Sequence, residues 1–141
     1  MKGYGKRILV VDDEEHIRVL LCLLLEQDGY SVHTANGGEG AIHEMMLRRF
    51  DVILTGFDMP KTNGLDVISF GRTICPDVPI LLMSAVPEME DVARERGAYA
   101  CIPKPFENRD LLDLLHGAVQ RLGAERSGVR LEGGMRAGER C

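Results

Sequence analysis

The sequence contains no tryptophan, and aromatic residues make up only 5% of its 141 residues. Its four cysteines form no Cys-x-x-Cys pair, which argues against a zinc site or a redox motif. The longest apolar run, from Val19 to Leu25, is too short to span a bilayer. The apolar run near the N-terminus is too short for the core of a signal peptide. These absences predict a cytoplasmic protein with reduced thiols and no membrane segment.

The sequence also lacks a basic excess, because 17 Lys and Arg residues stand against 22 Asp and Glu residues. This balance argues against a nucleic-acid-binding surface. Hydrophobic residues at 45% and charged residues at 28% are typical of a globular protein, and the length fits one domain. We place that domain at residues 1–122. Residues 123–141 are rich in glycine and arginine without apolar periodicity, so they are predicted to form a disordered tail.

Within the predicted domain, apolar runs typical of strands alternate with stretches of helical periodicity. The predicted strands are residues 7–11, 30–35, 51–55, 79–85 and 98–102, and the second is the most polar. The predicted helices are residues 12–29, 37–50, 65–74, 87–97 and 108–122. Strict alternation indicates an α/β protein with a doubly wound parallel sheet, right-handed crossovers and helices on both faces. The polar second strand is expected to lie near an edge of the sheet.

Apolar residues at helical spacing predict which face of each helix is buried. The predicted buried positions are Ile17, Leu20, Leu21 and Leu24 in the first helix, Ile42, Met45 and Met46 in the second, and Leu112, Leu115, Val119 and Leu122 in the last. Cys22 and Cys101 lie in apolar surroundings and are predicted to be small core residues.

Ligands of open parallel sheets bind beyond the carboxyl ends of the strands. At four strand ends the sequence places Asp12 and Asp13, Gly56 followed by Asp58, Ser84, and Lys104. Two adjacent carboxylates suit a hard cation such as Mg²⁺. A hydroxyl and an ammonium suit the oxygens of a phosphoryl group. Their joint placement at four strand ends predicts one site for a cation and a phosphoryl group.

The stretches "ILVVDDE", "DVILTGFDMPKTNG", "ILLMSA" and "CIPKPF" occur in an order and spacing that resemble the receiver domain of two-component response regulators. The resemblance covers Lys6 to about Leu122. It implies a flavodoxin-like sheet of strand order 2-1-3-4-5. It also implies a mechanism in which a histidine kinase or a small phosphodonor phosphorylates an aspartate with the help of Mg²⁺.

The resemblance assigns a role to each residue at the strand ends. Asp12 and Asp13 match the acidic pair that holds Mg²⁺, and Asp58 matches a position whose backbone carbonyl ligates the metal. Ser84 and Lys104 match the residues that contact the phosphoryl group, and the bond from Lys104 to the following proline is often cis in such domains. These roles together define the expected metal and phosphoryl-contact site.

Two positions depart from the family pattern. The phosphoacceptor aspartate falls on Gly56, which has no nucleophile. The aromatic switch residue, three positions before the lysine, falls on Cys101. Tyr99 is expected on the same strand face as Cys101 by alternation, although it does not match the family position. Both departures favour a pseudo-receiver, a receiver-like domain whose signalling state is not controlled by phosphorylation.

The predicted function is therefore that of a non-enzymatic binding module in two-component phosphorelay signalling. Its predicted partner is a histidine kinase or another signalling protein, with no nucleic acid bound by this chain, no membrane, and a homodimer left open. Mg²⁺ is the expected cofactor, bound more weakly than with a third carboxylate present. Lys104, without its usual partner, is expected to lean toward Asp12, Asp13 or Asp58.

Two alternatives remain open at this stage. The domain could be a working receiver phosphorylated at another residue such as Asp58, or Gly56 could be an engineered change in an ordinary receiver. Thr55 is a poor nucleophile candidate, since its side chain is expected on the opposite face of the sheet. The expected contact surface is the face of the fourth helix, fifth strand and fifth helix, which includes Met89, Val92 and Tyr99.

Overall fold

The computed structural model describes residue 3 and residues 5–126, which form five strands and five helices in alternation. The strands are β1 (Arg7–Val11), β2 (Ser31–Ala35), β3 (Val52–Gly56), β4 (Ile80–Ser84) and β5 (Ala100–Pro103). The helices are α1 (Glu15–Gln27), α2 (Gly38–Leu47), α3 (Gly64–Ile74), α4 (Met89–Glu95) and α5 (Asn108–Arg126). All strand pairs are parallel and the order is β2-β1-β3-β4-β5, which confirms the predicted fold.

The three central strands are buried on both faces, as their continuous aliphatic runs predicted. Every residue of β3 and β4 is buried, and so are the last four residues of β1. In β2 only Ala35 is buried, which confirms that this polar strand lies at an edge. The edge position explains its composition, because a strand with one neighbour keeps more of its surface in water.

Alternating strand residues supply two hydrophobic cores, one on each side of the sheet. The α1/α5 core combines strand residues such as Ile8 and Val10 with Leu21 and Leu25 of α1 and with the buried face of α5. The α2/α3/α4 core takes the intervening strand residues. Its helix residues are Ala41, Met45, Val67, Ile68 and Ala93. Helices on both faces therefore cover the central strands along their whole length.

The predicted buried faces of α1 and α2 need correction. Leu20 is 61% exposed and Met46 is 72% exposed, whereas Leu21 and Met45 are buried. Successive helix residues are rotated by about 100°, so a residue next to the centre of a buried stripe points sideways or outward. The buried centre of α1 lies on Leu21 and Leu25, and the sequence alone could not place it because α1 is apolar on several sides.

The last helix confirms three of its four predicted buried positions, Leu115, Val119 and Leu122. Leu112 is only partly buried. The helix also continues to Arg126, four residues beyond the predicted end of the domain at residue 122. Gly123 lowers helix propensity, but alanine, glutamate and arginine follow it and are strong helix formers. The rest of the predicted tail, residues 127–141, lies outside the described residues.

Among residues 3 and 5–126 we find no helix with the length and apolar character needed to cross a lipid bilayer.

Tyr30 leads into β2 and carries a hydroxyl whose titration should affect stability at high pH. Its side chain is 4% exposed, and its hydroxyl has no hydrogen-bond partner within the described residues. Burial, followed by the charges of Asp28 and Asp51, raises its pKa to about 12. Because the unfolded chain releases this proton near its ordinary pKa of about 10, Tyr30 contributes stability below that pH and loses it as the pH rises through about 12.

We therefore expect the wild type to lose roughly 3 kcal/mol of unfolding free energy relative to Tyr30→Phe between about pH 10 and pH 12. Urea unfolding of both proteins across this range measures the difference directly. The Tyr30→Phe variant is the matched control, because it keeps the ring and removes only the titrating hydroxyl. Parallel stability curves for the two proteins would show that Tyr30 does not carry the effect.

Candidate functional site

The carboxyl ends of β1, β3, β4 and β5 bring Asp12, Gly56, Ser84 and Lys104 to one edge of the sheet. We call the space between these four residues the cleft. Asp12 and Ser84 are 2% and 4% exposed, so both are held in a largely desolvated setting. Gly56 is the last residue of β3 and pairs with Met83, whereas the predicted third strand ended one residue earlier.

Asp12 is the most constrained residue of the cleft. Its Oδ1 accepts a hydrogen bond of 2.9 Å from the backbone N–H of Glu14. Its backbone carbonyl accepts a hydrogen bond of 2.6 Å from Nη1 of Arg18, which lies in α1. Its Oδ2 lies 3.5 Å from Nζ of Lys104. The turn from β1 into α1 therefore holds this carboxylate with one oxygen directed into the cleft.

Lys104 reaches into the cleft from the end of β5. Its backbone N–H donates to the carbonyl of Ser84 at 2.9 Å, and the bond between Lys104 and Pro105 is cis, as the resemblance implied. Of the three carboxylates expected to attract the ammonium, the structure selects Asp12. The Lys104 side chain is 30% exposed and that of Asp12 only 3%, so the pair is partly shielded from water.

Gly56 lies directly beside this ion pair. A Cβ built on Gly56 would stand 2.9 Å from Oδ2 of Asp12, so a side chain at this position would require that carboxylate to shift. The preceding residue, Thr55, is fully buried and its Oγ1 donates to the Gly56 carbonyl at 2.9 Å. Neither residue at the end of β3 thus presents a nucleophilic atom to the cleft.

The start of α3 packs closely against this strand end. The backbone N–H of Gly64 donates to the carbonyl of Phe57 at 2.9 Å. A Cβ on Gly64 would overlap the carbonyl oxygen of Gly56. The side chain of Asn63 caps the helix and forms a capping box with Asp66. The cap and the close backbone approach fix the loop between β3 and α3 beneath the cleft.

Three carboxylates lie close enough together to share a metal ion. One oxygen each from Asp12, Asp13 and Glu14 falls within 4.8 Å of the others. Carboxylate oxygens are the ligands that Mg²⁺ prefers, so this donor set fits the expected cation. Glu14 was not among the predicted ligands, although it is the third acid of the "DDE" run. The side chain of Asp58 is exposed and stands outside this group, while the role predicted for its carbonyl stays a prediction.

The expected switch position, Cys101, is only partly buried, against the α2/α3/α4 core, rather than fully within a core as predicted. Burial, and then the nearby Glu90 carboxylate, raises the pKa of its thiol, so the side chain stays neutral. Cys22 is also only partly buried.

The prediction that Tyr99 shares a face with Cys101 is wrong. Tyr99 precedes the first residue of β5, so strand alternation does not extend to it. Its ring packs against the α1/α5 core, with its hydroxyl 3.4 Å from the Cβ position of Gly117 in α5. Tyr99 therefore cannot supply an aromatic side chain at the position that Cys101 occupies.

The geometry of the cleft suits two kinds of ligand. Asp12, Asp13 and Glu14 provide oxygens for a divalent cation, and Ser84 and Lys104 provide a hydroxyl and an ammonium for an oxyanion. These groups lie beyond the carboxyl ends of a doubly wound sheet, where open α/β folds bind their ligands.

The model of the response regulator receiver domain family matches residues 8–116. The chain belongs to this family. It is 34% identical over 119 residues to a homolog of the transcriptional regulatory protein CpxR from Haemophilus influenzae, covering 82% of this chain and 51% of that protein. It covers 24% of the regulatory protein AtoC of Escherichia coli, to which it is 35% identical. The chain thus spans between a quarter and about half of the curated relatives that it matches.

Solved structures of receiver domains share the fold of this chain. A CheY-like receiver domain protein from Methanospirillum hungatei has a TM-score of 0.81 and 25% identity, covering 85% of this chain and 98% of that one. The receiver domain of the sensor histidine kinase PA1611 from Pseudomonas aeruginosa has a TM-score of 0.75 and 24% identity, covering 82% and 98%. The second is described with a magnesium ion coordinated in its active site cleft.

Proposed function

We propose that this chain is a pseudo-receiver, a binding module of two-component phosphorelay signalling that acts through protein–protein contact and not through phosphorylation. The supporting observation is Gly56 at the end of β3, where the family resemblance places the phosphoacceptor. Acyl-phosphate formation needs a carboxylate nucleophile, and glycine supplies none. The domain would accordingly have no catalytic activity of its own.

Phosphorylation at Asp58 is the less favoured alternative. A nucleophile must stand within near-attack distance of the phosphodonor while the metal neutralises developing charge. Asp58 lies two residues beyond Gly56, its side chain is exposed, and it does not belong to the acidic group of Asp12, Asp13 and Glu14. These features make Asp58 a poor substitute for an acceptor held at the end of β3.

Mg²⁺ is the cation proposed for the acidic group, where Asp12, Asp13 and Glu14 would hold it. When bound, it would neutralise carboxylate charge in the cleft. The likeness to the magnesium-bound receiver of PA1611 supports the fold alone, so the proposal depends on the carboxylates of this chain. We propose weaker binding than in a Gly56→Asp variant, because that variant gains a further anionic ligand.

The proposed partner is a histidine kinase or another signalling protein in the cytoplasm, with no nucleic acid or membrane bound by this chain. A homodimer is the second mode of association that we propose. The proposed contact surface includes α4, β5 and α5, where Met89, Val92 and Tyr99 are partly buried and present some apolar area. The partners of the longer relatives do not define those of this chain.

We expect partner binding to be insensitive to phosphodonors. A receiver responds because the phosphoryl group binds its two conformations with different affinity, and a ligand without such a difference shifts no population. Partner affinity should therefore change less than about twofold when Mg²⁺ and a small phosphodonor are added. Surface plasmon resonance with the identified partner measures this, and Gly56→Asp is the matched control. A several-fold change in wild type, together with a phosphoryl adduct, would show a working switch.

A further inference from the structure

A cavity of about 310 Å³ lies at the amino ends of β4 and β5, at the edge of the sheet opposite the cleft. We call it the amino-end cavity. One wall is the loop that leads into β4, which includes Asp77 and Pro79, and another is the turn before β5, formed by Gly97, Ala98 and Tyr99. The third wall is the end of α5. The volume lies at the lower end of the range for small-molecule sites, which begins at about 300 Å³.

Two arginines give this cavity a positive wall. Arg72 approaches from the last turn of α3 and Arg121 from α5, whereas Asp77 is the single acidic side chain among the described residues that line the cavity. Asp77 and Arg121 each have an interaction partner in the structure. The guanidinium of Arg72 forms no ion pair or hydrogen bond with the described part of the chain. Arg72 is therefore the cation that is available to a ligand.

The position of Arg72 is set by packing and not by an opposite charge. Its Cγ, Cδ and Nε each lie 3.1 Å from the Cβ position of Gly97, so the side chain crosses the turn before β5. Gly97 has a φ of 103°, a conformation that favours glycine, and its lack of a side chain leaves room for the arginine stem. A guanidinium that is placed before any ligand arrives loses less entropy when it binds a carboxylate or phosphate through two parallel hydrogen bonds.

The size and charge of the amino-end cavity limit the ligands that fit it. The volume exceeds what a bare phosphate or carboxylate ion occupies, and uncharged residues such as Ala98, Ala118 and Leu122 line the remainder. Asp77 on the same wall would repel a ligand that is anionic along its whole length. The arrangement therefore fits an organic molecule with its negative charge at one end.

We propose that the amino-end cavity binds a small organic anion, whose carboxylate or phosphate group is held by the guanidinium of Arg72. This inference goes beyond the proposed function and does not depend on it, because neither the acidic group nor Ser84 nor Lys104 lines this cavity. An occupant contacts the loop before β4, the turn before β5 and the end of α5 together. Binding therefore joins three separate parts of the chain and stabilises the folded protein.

The test is a titration of the full chain with phenyl phosphate and with benzoate, which carry a phosphate or a carboxylate on the same ring. Backbone amide shifts at Gly97, Ala98 and Tyr99 should saturate with at least one probe, and the tighter probe identifies the preferred group. Arg72→Gln keeps the stem that crosses Gly97 but removes the charge, so the affinity should fall at least about tenfold.

Arg109→Gln is the matched control, because it removes the same charge from an exposed residue at the start of α5, about 18 Å along the helix from Arg121. It should change the affinity less than about twofold. Arg72→Lys keeps the charge without the planar fork and should recover only part of the affinity.

The cleft also offers an ammonium and a hydroxyl to an oxyanion, so the amide shifts must separate the two sites. Binding in the amino-end cavity should persist in Lys104→Met, whereas binding in the cleft would move the Ser84 and Lys104 amides and be weakened by that substitution. Shifts confined to the cleft would overturn the proposal. Equal affinities for wild type and Arg72→Gln, or no saturation of the Gly97 and Tyr99 amides by about 10 mM of either probe, would also overturn it.

Discussion

The Gly56→Asp variant is expected to form an acyl phosphate when incubated with Mg²⁺ and a small phosphodonor, whereas the wild type remains unmodified. The variant places a carboxylate at the end of β3, beside Asp12 and within the same cleft as Ser84 and Lys104. The acidic group can hold the cation and the hydroxyl and ammonium can contact the transferred group. Intact mass spectrometry should show one added phosphoryl group that hydroxylamine removes.

The added side chain should also lower the stability of the metal-free variant. Its Cβ would stand 2.9 Å from Oδ2 of Asp12, so that carboxylate must turn away, and the new charge crowds the existing acids. Mg²⁺ should restore the stability by neutralising this charge. Gly56→Asn is the matched control, because it adds a side chain of the same shape without a nucleophile. A Gly56→Asp protein that binds Mg²⁺ yet gains no phosphoryl group would show that the remaining cleft is incompetent.

Gly64→Ala is expected to lower the unfolding free energy at neutral pH by about 3 kcal/mol. The added Cβ overlaps the carbonyl oxygen of Gly56 and also presses on Leu82 and Phe57. A backbone carbonyl at the end of a central strand cannot rotate away as a side chain can. The steric overlap can therefore be removed only if α3 moves away from the sheet. Urea denaturation with circular dichroism measures the loss.

Gly123→Ala is the matched control for this substitution. Gly123 lies inside α5, and among the described residues no atom beyond its chain neighbours and its own helix backbone lies within 4 Å of its Cβ position, so alanine meets no packed neighbour there. The change should raise stability by about 1 kcal/mol through helix propensity. If Gly64→Ala lowers the unfolding free energy and Gly123→Ala raises it, the loss comes from the contact between α3 and β3. A similar change in both proteins would contradict this explanation.

The sequence predicted the alternation of elements and the burial of the central strands because both depend on short-range patterns. Continuous aliphatic runs identified β1, β3 and β4, and the polar composition of β2 identified an edge. The strand order came from the resemblance to receivers, since pairing between strands is a long-range property that local periodicity does not specify.

The helix faces were less predictable for a physical reason. Leu20 is apolar but exposed, whereas the next residue, Leu21, is buried. Met46 is also exposed, whereas the preceding residue, Met45, is buried. In a helix with apolar residues on several sides, packing against the sheet chooses the buried stripe. Tyr99 was also mispredicted, because strand boundaries are hard to place from sequence. It lies one residue before β5, and its side chain packs against the α1/α5 core.

The residues of the cleft could be identified from the sequence because each lies at the end of a predicted strand. The contacts between their side chains could not be predicted in this way. The sequence allowed Lys104 three carboxylate partners, and the structure selects Asp12 through the orientation that Glu14 and Arg18 impose. Glu14 was not predicted to join the acidic group, because the side chains of consecutive residues at the start of a helix converge only when the turn has formed.

The most direct test of the central claim is the intact mass of the wild-type chain after incubation with Mg²⁺ and a small phosphodonor. With Gly56 at the end of β3, we predict an unchanged mass under conditions that modify Gly56→Asp. A stable gain of one phosphoryl group by the wild type, mapped to Asp58 and abolished by Asp58→Asn, would contradict the pseudo-receiver account.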